Sequence, residues 1–233
     1  MDHELERPLM GGWVTSGVIR VGQTVRRPRS ANAPFVERLL RHLEKAGFEA
    51  APRHLGLDEQ GREILSLIEG DVPSDCRTLE WRDEQLGAIA ELLRRFHDAT
   101  SGSDLAAGAE AVCHNDFGPW NLVWRDGLPI GIIDYDNAAP GARIDDLGYA
   151  VWKALNLGLI DVPVSEQRRR TMVFTTVYGA IPDSTLLGAV ERAQERMRQL
   201  IVASSVGVGR DDALDQNRRE RGWLEAHGSQ LIA

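Results

Sequence analysis

A polar loop followed by a short hairpin constrains this chain more than any other feature. The loop reads HNDFGPWN from His114, and apolar residues stand on both sides of it. Residues 122–124 and 130–133 read as short strands joined by a turn that contains an Asp-Gly pair. Such a hairpin places Asn121 just before its first strand and Asp134 just after its second. Two oxygen-bearing side chains are therefore predicted to meet at one end of the hairpin.

Asp116 lies within the loop and supplies a third oxygen-bearing side chain. The spacing His114-x-Asp116-x-x-x-x-Asn121 has the form of a kinase catalytic loop. Phosphoryl transfer needs a carboxylate to orient and deprotonate an acceptor hydroxyl, and it needs hard oxygen ligands for Mg²⁺. The pattern therefore predicts Asp116 as the catalytic carboxylate, with Asn121 and Asp134 as metal ligands. His114 is expected to brace the loop by hydrogen bonding rather than to transfer protons.

Further phrases extend the similarity beyond this loop. The chain reads VIRVG from Val18, TVRRP from Thr24, GRE from Gly61 and HNDFGP from His114. In this combination the sequence resembles the aminoglycoside phosphotransferase and choline kinase family, small-molecule kinases with a protein-kinase-like fold. Within that family it is similar to a bacterial branch that includes trifolitoxin-immunity-like proteins. The similarity covers residues 10–155 well and becomes a general helical pattern beyond them.

The resemblance implies an α+β, protein-kinase-like fold of two lobes. Residues 1–69 would form a nucleotide-binding lobe, with a small antiparallel sheet and one helix. Residues 70–233 would form a larger, mainly helical lobe that carries the catalytic hairpin and the acceptor site. The resemblance further implies Mg²⁺ as cofactor and ATP as co-substrate, with GTP as the alternative nucleotide.

The pattern of the first lobe agrees with this fold. Strands are predicted at residues 12–15, 18–21 and 24–27, a helix at 34–47, and a hairpin at 53–57 and 62–68. Glycines precede and interrupt the first strands, where backbone could approach phosphates or simply form turns; they are Gly11, Gly12 and Gly17.

The lysine that this family carries on the next strand is missing here. The matching strand reads Val-Arg-Arg, and Arg26 is the best positional match for a residue that contacts nucleotide phosphates. Arg27 points to the opposite face and is interpreted as a solvated edge charge. Glu37, on the following helix, is the candidate partner of Arg26. A surface pair between Glu37 and Arg41 is the alternative.

Residues 69–73 break the pattern and are predicted to link the two lobes. The resemblance places Leu67 and Glu69 at the edge of the nucleotide, because the backbone near this linker hydrogen-bonds adenine in the family. The second lobe then begins with a helix on which His97 is expected to be a packed residue rather than a ligand.

Two further aspartates keep two interpretations each. Asp136 either assists a second metal or caps the turn after the strand. Asp146 either braces the catalytic loop, as the family's Asp-Leu pair does, or is an ordinary aspartate at a helix N-terminus. The C-terminal helices carry acidic residues that either face a cationic acceptor or form solvated helix faces, namely Glu191, Glu195, Asp211, Asp212 and Asp215.

The overall composition is that of an ordinary globular protein. Of the 233 residues, 42% are hydrophobic and 27% are charged, which argues against the disordered and membrane classes. The net charge of −8 argues against broad nucleic-acid binding, because phosphate backbones require a basic surface. The polar start MDHELE is unlike a signal peptide, and the two cysteines have no metal-ligand spacing. We therefore expect a cytoplasmic protein without membrane or nucleic-acid partners, and its oligomeric state stays open.

Taken together, these features predict a small-molecule phosphotransferase. It would move the γ-phosphate of ATP to a hydroxyl of an aminoglycoside-like or other small acceptor, with a cationic acceptor as one option. The alternative is a catalytically weak or inactive kinase-fold binding or immunity protein that sequesters a toxin, an antibiotic or a nucleotide. A metal hydrolase built on His114, Asp116 and Asp134 is disfavoured, because no second histidine stands at ligand spacing.

Overall fold

The structure is a computed structural model that describes residues 6–9, 17–73, 76, 81–179, 183–203 and 209–231. The strand predicted at 12–15 and the glycines Gly11 and Gly12 lie outside these residues. All statements below concern the described part of the chain.

A five-stranded antiparallel sheet forms the first lobe. Its order is β1-β2-β3-β5-β4, so that β3 lies in the centre and pairs with β2 and β5. The predicted hairpins are confirmed, and the turn between β4 and β5 is held by Asp58, whose Oδ1 accepts the N–H groups of Gln60 and Arg62 at 3.0 and 2.9 Å. The strands are β1 (Arg7–Pro8), β2 (Ile19–Val21), β3 (Thr24–Arg27), β4 (His54–Leu57) and β5 (Glu63–Ser66).

One helix, α1 (Ala33–Lys45), completes this lobe, as predicted. Pro34 stands in its first turn, where a missing N–H costs no hydrogen bond. Gly47 follows its end with a φ of +72°, the left-handed conformation that favours glycine after a helix. The helix turns an apolar stripe inward, which consists of Val36, Leu39, Leu40 and Leu43.

The second lobe combines helices with two small hairpin-like sheets. The catalytic hairpin is present as β7 (Leu122–Arg125) and β8 (Leu128–Ile132), while β6 (Ala111–Cys113) pairs with β9 (Ala139–Gly141). A sheet lobe and a mainly helical lobe confirm the predicted α+β class. The helices are α2 (Asp83–Thr100), α3 (Arg143–Ala154), α4 (Val164–Tyr178), α5 (Asp183–Ala203) and α6 (Arg210–Leu231).

The linker between the lobes is fastened to the catalytic hairpin. The backbone N–H and carbonyl groups of Asp71 exchange two 2.8 Å hydrogen bonds with those of Trp124 in β7. Gly70 makes this approach possible, since a Cβ atom there would lie 2.4 Å from the Trp124 carbonyl oxygen. The exact lobe boundary at residues 69 and 70 stays a prediction.

The described helices are packed parts of this fold. Their buried side chains join one apolar core that extends from α1 through α2 and β7 to α3 and α5. None of these helices combines the length and the apolar content that crossing a membrane would require.

Two glycines inside helices provide a matched test of the packing. A Cβ atom at Gly148 in α3 would come within 2.6 Å of the backbone of Ala189 in α5, whereas one at Gly222 in α6 meets nothing within 4 Å. We expect Gly148→Ala to lower the free energy of unfolding by about 1–3 kcal/mol through overpacking. We expect Gly222→Ala to raise it by about 0.5–1 kcal/mol through helix propensity. Urea unfolding measures both, and effects of the same sign would contradict this packing.

Candidate active site

The backbone at the start of the catalytic loop is held by one buried carboxylate. Asp146, in the first turn of α3, accepts the N–H of His114 at 2.7 Å and the N–H of Asn115 at 2.8 Å. Asn115 has a φ of +61°, a left-handed conformation that asparagine tolerates better than most residues. Of the two interpretations of Asp146, the structure therefore shows the brace of the catalytic loop.

His97 supports Asp146 from the opposite side. Its Nε2 lies 3.0 Å from Asp146 Oδ2, its Nδ1 lies 2.7 Å from the Tyr178 hydroxyl, and its side chain is fully buried. Burial by itself would raise the pKa of Asp146, but the hydrogen bonds from His97 and from the loop backbone outweigh it and hold that pKa below its usual value. His97 is thus the packed residue expected from the sequence.

His114 ties the loop to the end of the catalytic hairpin. Its Nε2 lies 3.0 Å from the carbonyl oxygen of Ile133, directly before Asp134, and the ring is buried against Phe117 and Tyr135. With that nitrogen engaged and the ring enclosed by aromatic side chains, His114 braces the loop. Its other nitrogen, Nδ1, is buried and has no hydrogen-bond partner within the described part of the chain.

The carboxylate of Asp116 is held between two side chains. Its Oδ2 accepts a 3.0 Å hydrogen bond from Asn121 Nδ2, and its Oδ1 accepts a 2.7 Å hydrogen bond from the Tyr149 hydroxyl on α3. Burial raises the pKa of Asp116 above its usual value, the two hydrogen bonds oppose that rise, and the charge of Asp134 adds to it. Asp116 is therefore an oriented carboxylate with increased affinity for a proton.

The two ends of the catalytic hairpin lie side by side. The carbonyl of Asn121 accepts the N–H of Ile133 at 2.9 Å, so Asn121 and Asp134 flank the same end. The Nδ2 of Asn121 donates to Asp116, so its amide oxygen remains available as a ligand for a cation. Oδ1 of Asp136 is buried and has no hydrogen-bond partner within the described part of the chain. An amide oxygen and two carboxylates are ligands of the hard type that suits Mg²⁺.

Arg27, rather than Arg26, reaches this group of oxygens. Its guanidinium contacts Asp136, lies 3.5 Å from Asp134 Oδ1, and approaches Glu63 Oε2 at 3.6 Å. Only 8% of Arg27 is exposed, so the edge charge expected from the sequence is instead a buried ion-pair centre. Sequence reasoning missed both Arg27 and Glu63, although the β3–β5 register sets the two directly opposite each other.

The predicted ion pair between Arg26 and Glu37 is wrong, and a contact of either residue with nucleotide stays a prediction. Arg26 points to the other face of β3, where its Nε lies 3.9 Å from Asp58 and its Nη1 donates to Thr24. Glu37 pairs with Arg41 at 3.1 Å, the surface alternative one helical turn away. Successive residues of a strand face opposite sides of the sheet. The prediction therefore placed the charge that reaches Asp134 on Arg26, although Arg27 is the residue on that face.

The linker residues Leu67 and Glu69 use parts of their backbone within the protein. The Leu67 N–H donates to the carbonyl of Gln23 at 3.0 Å, and the Glu69 carbonyl accepts from Arg125 at 2.6 Å. The Glu69 carboxylate pairs with Arg20 at 2.7 Å. An adenine contact at Leu67 and Glu69 stays a prediction, and it has to use their other groups.

Lys153 is a further residue near Asp116 that sequence reasoning missed. Its ammonium lies 3.5 Å from the ring centroid of Trp152 and 3.9 Å from Glu220 Oε2, and it interacts electrostatically with Asp116. Burial lowers the pKa of Lys153 and raises the pKa of Glu220. The spacing of Asp146, Tyr149 and Lys153 on one face of α3 is the signal that could have found them.

The acidic residues of the C-terminal helices are partly neutralised by arginines. Glu195 pairs with Arg198 at 2.7 Å and with Arg221 at 2.9 Å, and hydrogen bonds from Arg198 and Gln199 lower the pKa of Glu195 to about 2. Asp215 pairs with Arg218 at 2.6 Å. Glu191 and Glu195 line a cavity of about 300 Å³ between α5 and α6. A role for these acidic residues in binding an acceptor stays a prediction.

Comparison with known proteins agrees with this geometry. Residues 82–168, which contain the catalytic loop and hairpin, match the phosphotransferase enzyme family. The trifolitoxin immunity protein of Rhizobium leguminosarum bv. trifolii is 38% identical over 175 residues, which span 68% of this chain and 65% of that protein. The chain is a relative of the trifolitoxin immunity protein, and its central part matches the phosphotransferase enzyme family. The resemblance seen in the sequence is thereby confirmed, although the match leaves about a third of the immunity protein uncovered.

Solved structures show that the fold is protein-kinase-like. A choline kinase from Cryptosporidium parvum superposes with a TM-score of 0.67 at 12% identity, covering 98% of this chain and 91% of that chain. The streptomycin–ATP complex of APH(2")-IIa superposes with a TM-score of 0.60 at 14% identity, covering 88% of this chain and 87% of that chain. Both belong to the family that the catalytic loop resembles, and they confirm the predicted fold class.

The buried Asp146 predicts a specific pH dependence of stability for this phosphotransferase relative. Because its folded-state pKa is depressed, its contribution is present above the unfolded pKa of about 3.9 and is lost as the pH falls through the folded value. We expect Asp146→Asn to lower the free energy of unfolding by about 3 kcal/mol at neutral pH. The difference from the wild type should shrink from about pH 5 downward. Urea unfolding of both proteins, at neutral pH and at several values below about pH 5, measures this difference in the free energy of unfolding.

Asp145→Asn is the matched control for this experiment. Asp145 lies in the same helical turn and pairs with Arg192 at 2.6 Å on the surface. Removing its charge should cost less than about 1 kcal/mol. A loss for Asp146→Asn as small as that of Asp145→Asn, or one that persists unchanged to low pH, would show that Asp146 does not hold the loop as a carboxylate.

Proposed function

We propose that this protein is a Mg²⁺-dependent phosphotransferase that moves the γ-phosphate of ATP to the hydroxyl of a small acceptor. The observation that carries the proposal is the carboxylate of Asp116, which is oriented by Asn121 at the same end of the hairpin as Asp134. Nucleotides and small hydroxylated molecules, including cationic ones, are the proposed partners. The matching nucleotide-bound kinase structure supports ATP as co-substrate, and a supply of ATP favours a cytoplasmic place of action.

In this proposal Asp116 binds the acceptor hydroxyl and takes up its proton as the hydroxyl oxygen bonds to the γ-phosphorus. The bond between that phosphorus and the β-phosphate oxygen breaks, and ADP leaves. The hydrogen bonds from Tyr149 and Asn121 fix the carboxylate, so that little reorganisation is needed for attack in line with the leaving group. The raised pKa of Asp116 favours proton uptake. Bound through Asn121 and Asp134, Mg²⁺ would neutralise charge on the phosphates. His114 and Asp146 keep the loop in place.

Turnover and nucleotide binding test separate parts of this proposal. We expect Asp116→Asn to lower the rate of phosphate transfer by about 10²–10⁴-fold while Mg·ATP still raises the melting temperature. We expect Asn121→Ala and Asp134→Ala to abolish that Mg²⁺-dependent rise. The measurements are thermal shift with Mg·ATP, then ATP consumption with aminoglycosides, choline-like alcohols and small hydroxylated metabolites as acceptors.

Asp126→Asn is the matched control. Asp126 lies at the exposed turn of the same hairpin with a φ of +51°, which asparagine adopts as readily as aspartate. It removes the same charge without touching the site. Equal loss of turnover in Asp126→Asn and Asp116→Asn, or Mg·ATP stabilisation that survives Asp134→Ala, would refute the proposed roles.

A non-catalytic binding or immunity function is the second candidate. It is favoured by the similarity to the trifolitoxin immunity protein and by the arginines on β3, the strand on which the resemblance implies a lysine. Such a protein would bind a toxin peptide, an antibiotic or a nucleotide without transferring phosphate. Titration calorimetry with members of the same panel, with and without Mg·ATP, separates the candidates. Ligand binding that is independent of nucleotide, together with unchanged ATP, supports the binding function.

A further inference from the structure

The buried guanidinium of Arg27 lies at the centre of a group of acidic side chains. It contacts Asp136, lies 3.5 Å from Asp134 and lies 3.6 Å from Glu63. The side chains of Arg27 and Glu63 are 10% and 3% exposed, whereas those of Asp134 and Asp136 are 38% and 24% exposed. Arg27 therefore lies within 4 Å of three carboxylates, of which Glu63 also approaches His54 at 3.9 Å.

The positions of these groups are fixed by the surrounding backbone. Arg27 and Glu63 are direct partners in the β3–β5 register. Asn32, just before α1, donates from its Nδ2 to the carbonyls of Asp136 and Ala138 at 3.0 Å each, which holds the segment after Asp134 against the first lobe. The contact between Arg27 and the two aspartates is therefore part of the interface between the two lobes.

A fixed cation at this position opposes the binding of a second one. Arginine carries a fixed positive charge in proteins, so a metal ion at Asp134 would have to share its carboxylate with a second cation. A divalent cation on Asp134 would be repelled by a guanidinium that lies 3.5 Å from the same carboxylate. Guanidinium groups also bind phosphate through two parallel hydrogen bonds.

We propose that Arg27 competes with divalent metal for Asp134 and Asp136, so that the site binds the metal only together with nucleotide phosphates. When both bind, the Arg27 guanidinium leaves the two aspartates and pairs with the phosphates. The proposal rests on the metal-ligand role of Asp134 in the proposed function and adds an order to it. Metal alone binds weakly, because Arg27 holds the carboxylates. Phosphates relieve the competition by offering Arg27 an alternative anion.

Binding of Mn²⁺ alone, followed by electron paramagnetic resonance of the free ion, tests the competition without any turnover. Arg27→Gln removes the charge and should bind Mn²⁺ at least about tenfold more tightly than the wild type. Arg27→Lys keeps the charge and should stay within about threefold of the wild type. Arg26→Gln is the matched control, since it removes the neighbouring charge on the opposite face of β3, and it should leave Mn²⁺ binding unchanged.

Two further measurements define the site and the role of phosphate. Adding Asp134→Asn to Arg27→Gln should abolish the tighter Mn²⁺ binding, which locates the ion. Binding of ATP in EDTA should weaken about tenfold in Arg27→Gln, because the phosphates lose their guanidinium. Arg27→Gln is thus expected to raise the affinity for Mn²⁺ and to lower the affinity for metal-free ATP. A general loss of structure would not change the two affinities in opposite directions.

Several results would overturn the proposal. They are Mn²⁺ binding by Arg27→Gln that is no tighter than in the wild type, an equal gain in Arg26→Gln, and tight binding that survives Asp134→Asn. Circular dichroism establishes folding, and Arg27→Met replaces Arg27→Gln if the latter does not fold, since buried ion pairs often tolerate apolar replacement.

The outcome is distinguishable from that of the proposed function. If the Mn²⁺ affinities follow the expected order and no acceptor is phosphorylated, the competition stands and phosphotransfer fails. If phosphotransfer is found while the wild type and Arg27→Gln bind Mn²⁺ equally, the function stands and the competition fails.

Discussion

The candidate site depends on one buried carboxylate. Asp146 accepts two backbone N–H groups of the catalytic loop and lies 3.0 Å from His97, with no exposure to water. Such a group is costly to bury, and its several hydrogen bonds offset that cost only while the loop keeps this conformation. The position of Asp116 relative to α3 follows, because Tyr149 stands one helical turn after Asp146 and donates to the Asp116 carboxylate at 2.7 Å.

Polar groups also join the two lobes at the site itself. Arg27 extends from β3 to Asp134 and Asp136, and Asn32 reaches the carbonyls of the segment that follows. On the far side, the linker is fastened to β7 through Asp71 and Trp124. The metal-ligand candidates are thus held from both lobes. A change in the ion pairs of Arg27 would therefore alter the contact between the lobes as well as the local charge.

The sequence predicted the parts of this structure that depend on local pattern. The strands around Arg26, the stripe on α1 and the catalytic hairpin follow from periodicity and turn residues, and the structure has them. The sequence could not predict whether Arg26 or Arg27 enters the cleft. The register between β3 and β5 decides which face of β3 each arginine lies on, and sequence alone does not give that register. Tyr149 was missed for a similar reason, since a buried aromatic on α3 reads as core until the loop is seen against it.

Strand β3 carries arginines where the resemblance implies a lysine, and the two residue types differ in the contacts that they can make. A lysine is a compact point charge, whereas the planar fork of Arg27 reaches Asp134 and Asp136 with different nitrogens while its Nε faces Glu63. The glutamate comes from β5 instead of the helix, so the ion pair is built within the sheet. An arginine in this place can still meet phosphate, and its geometry suits two oxygens better than a lysine does. The same geometry makes Arg27 a stronger partner than a lysine for Asp134 and Asp136. Binding of phosphate and binding of metal therefore both depend on releasing the Arg27 guanidinium from these aspartates.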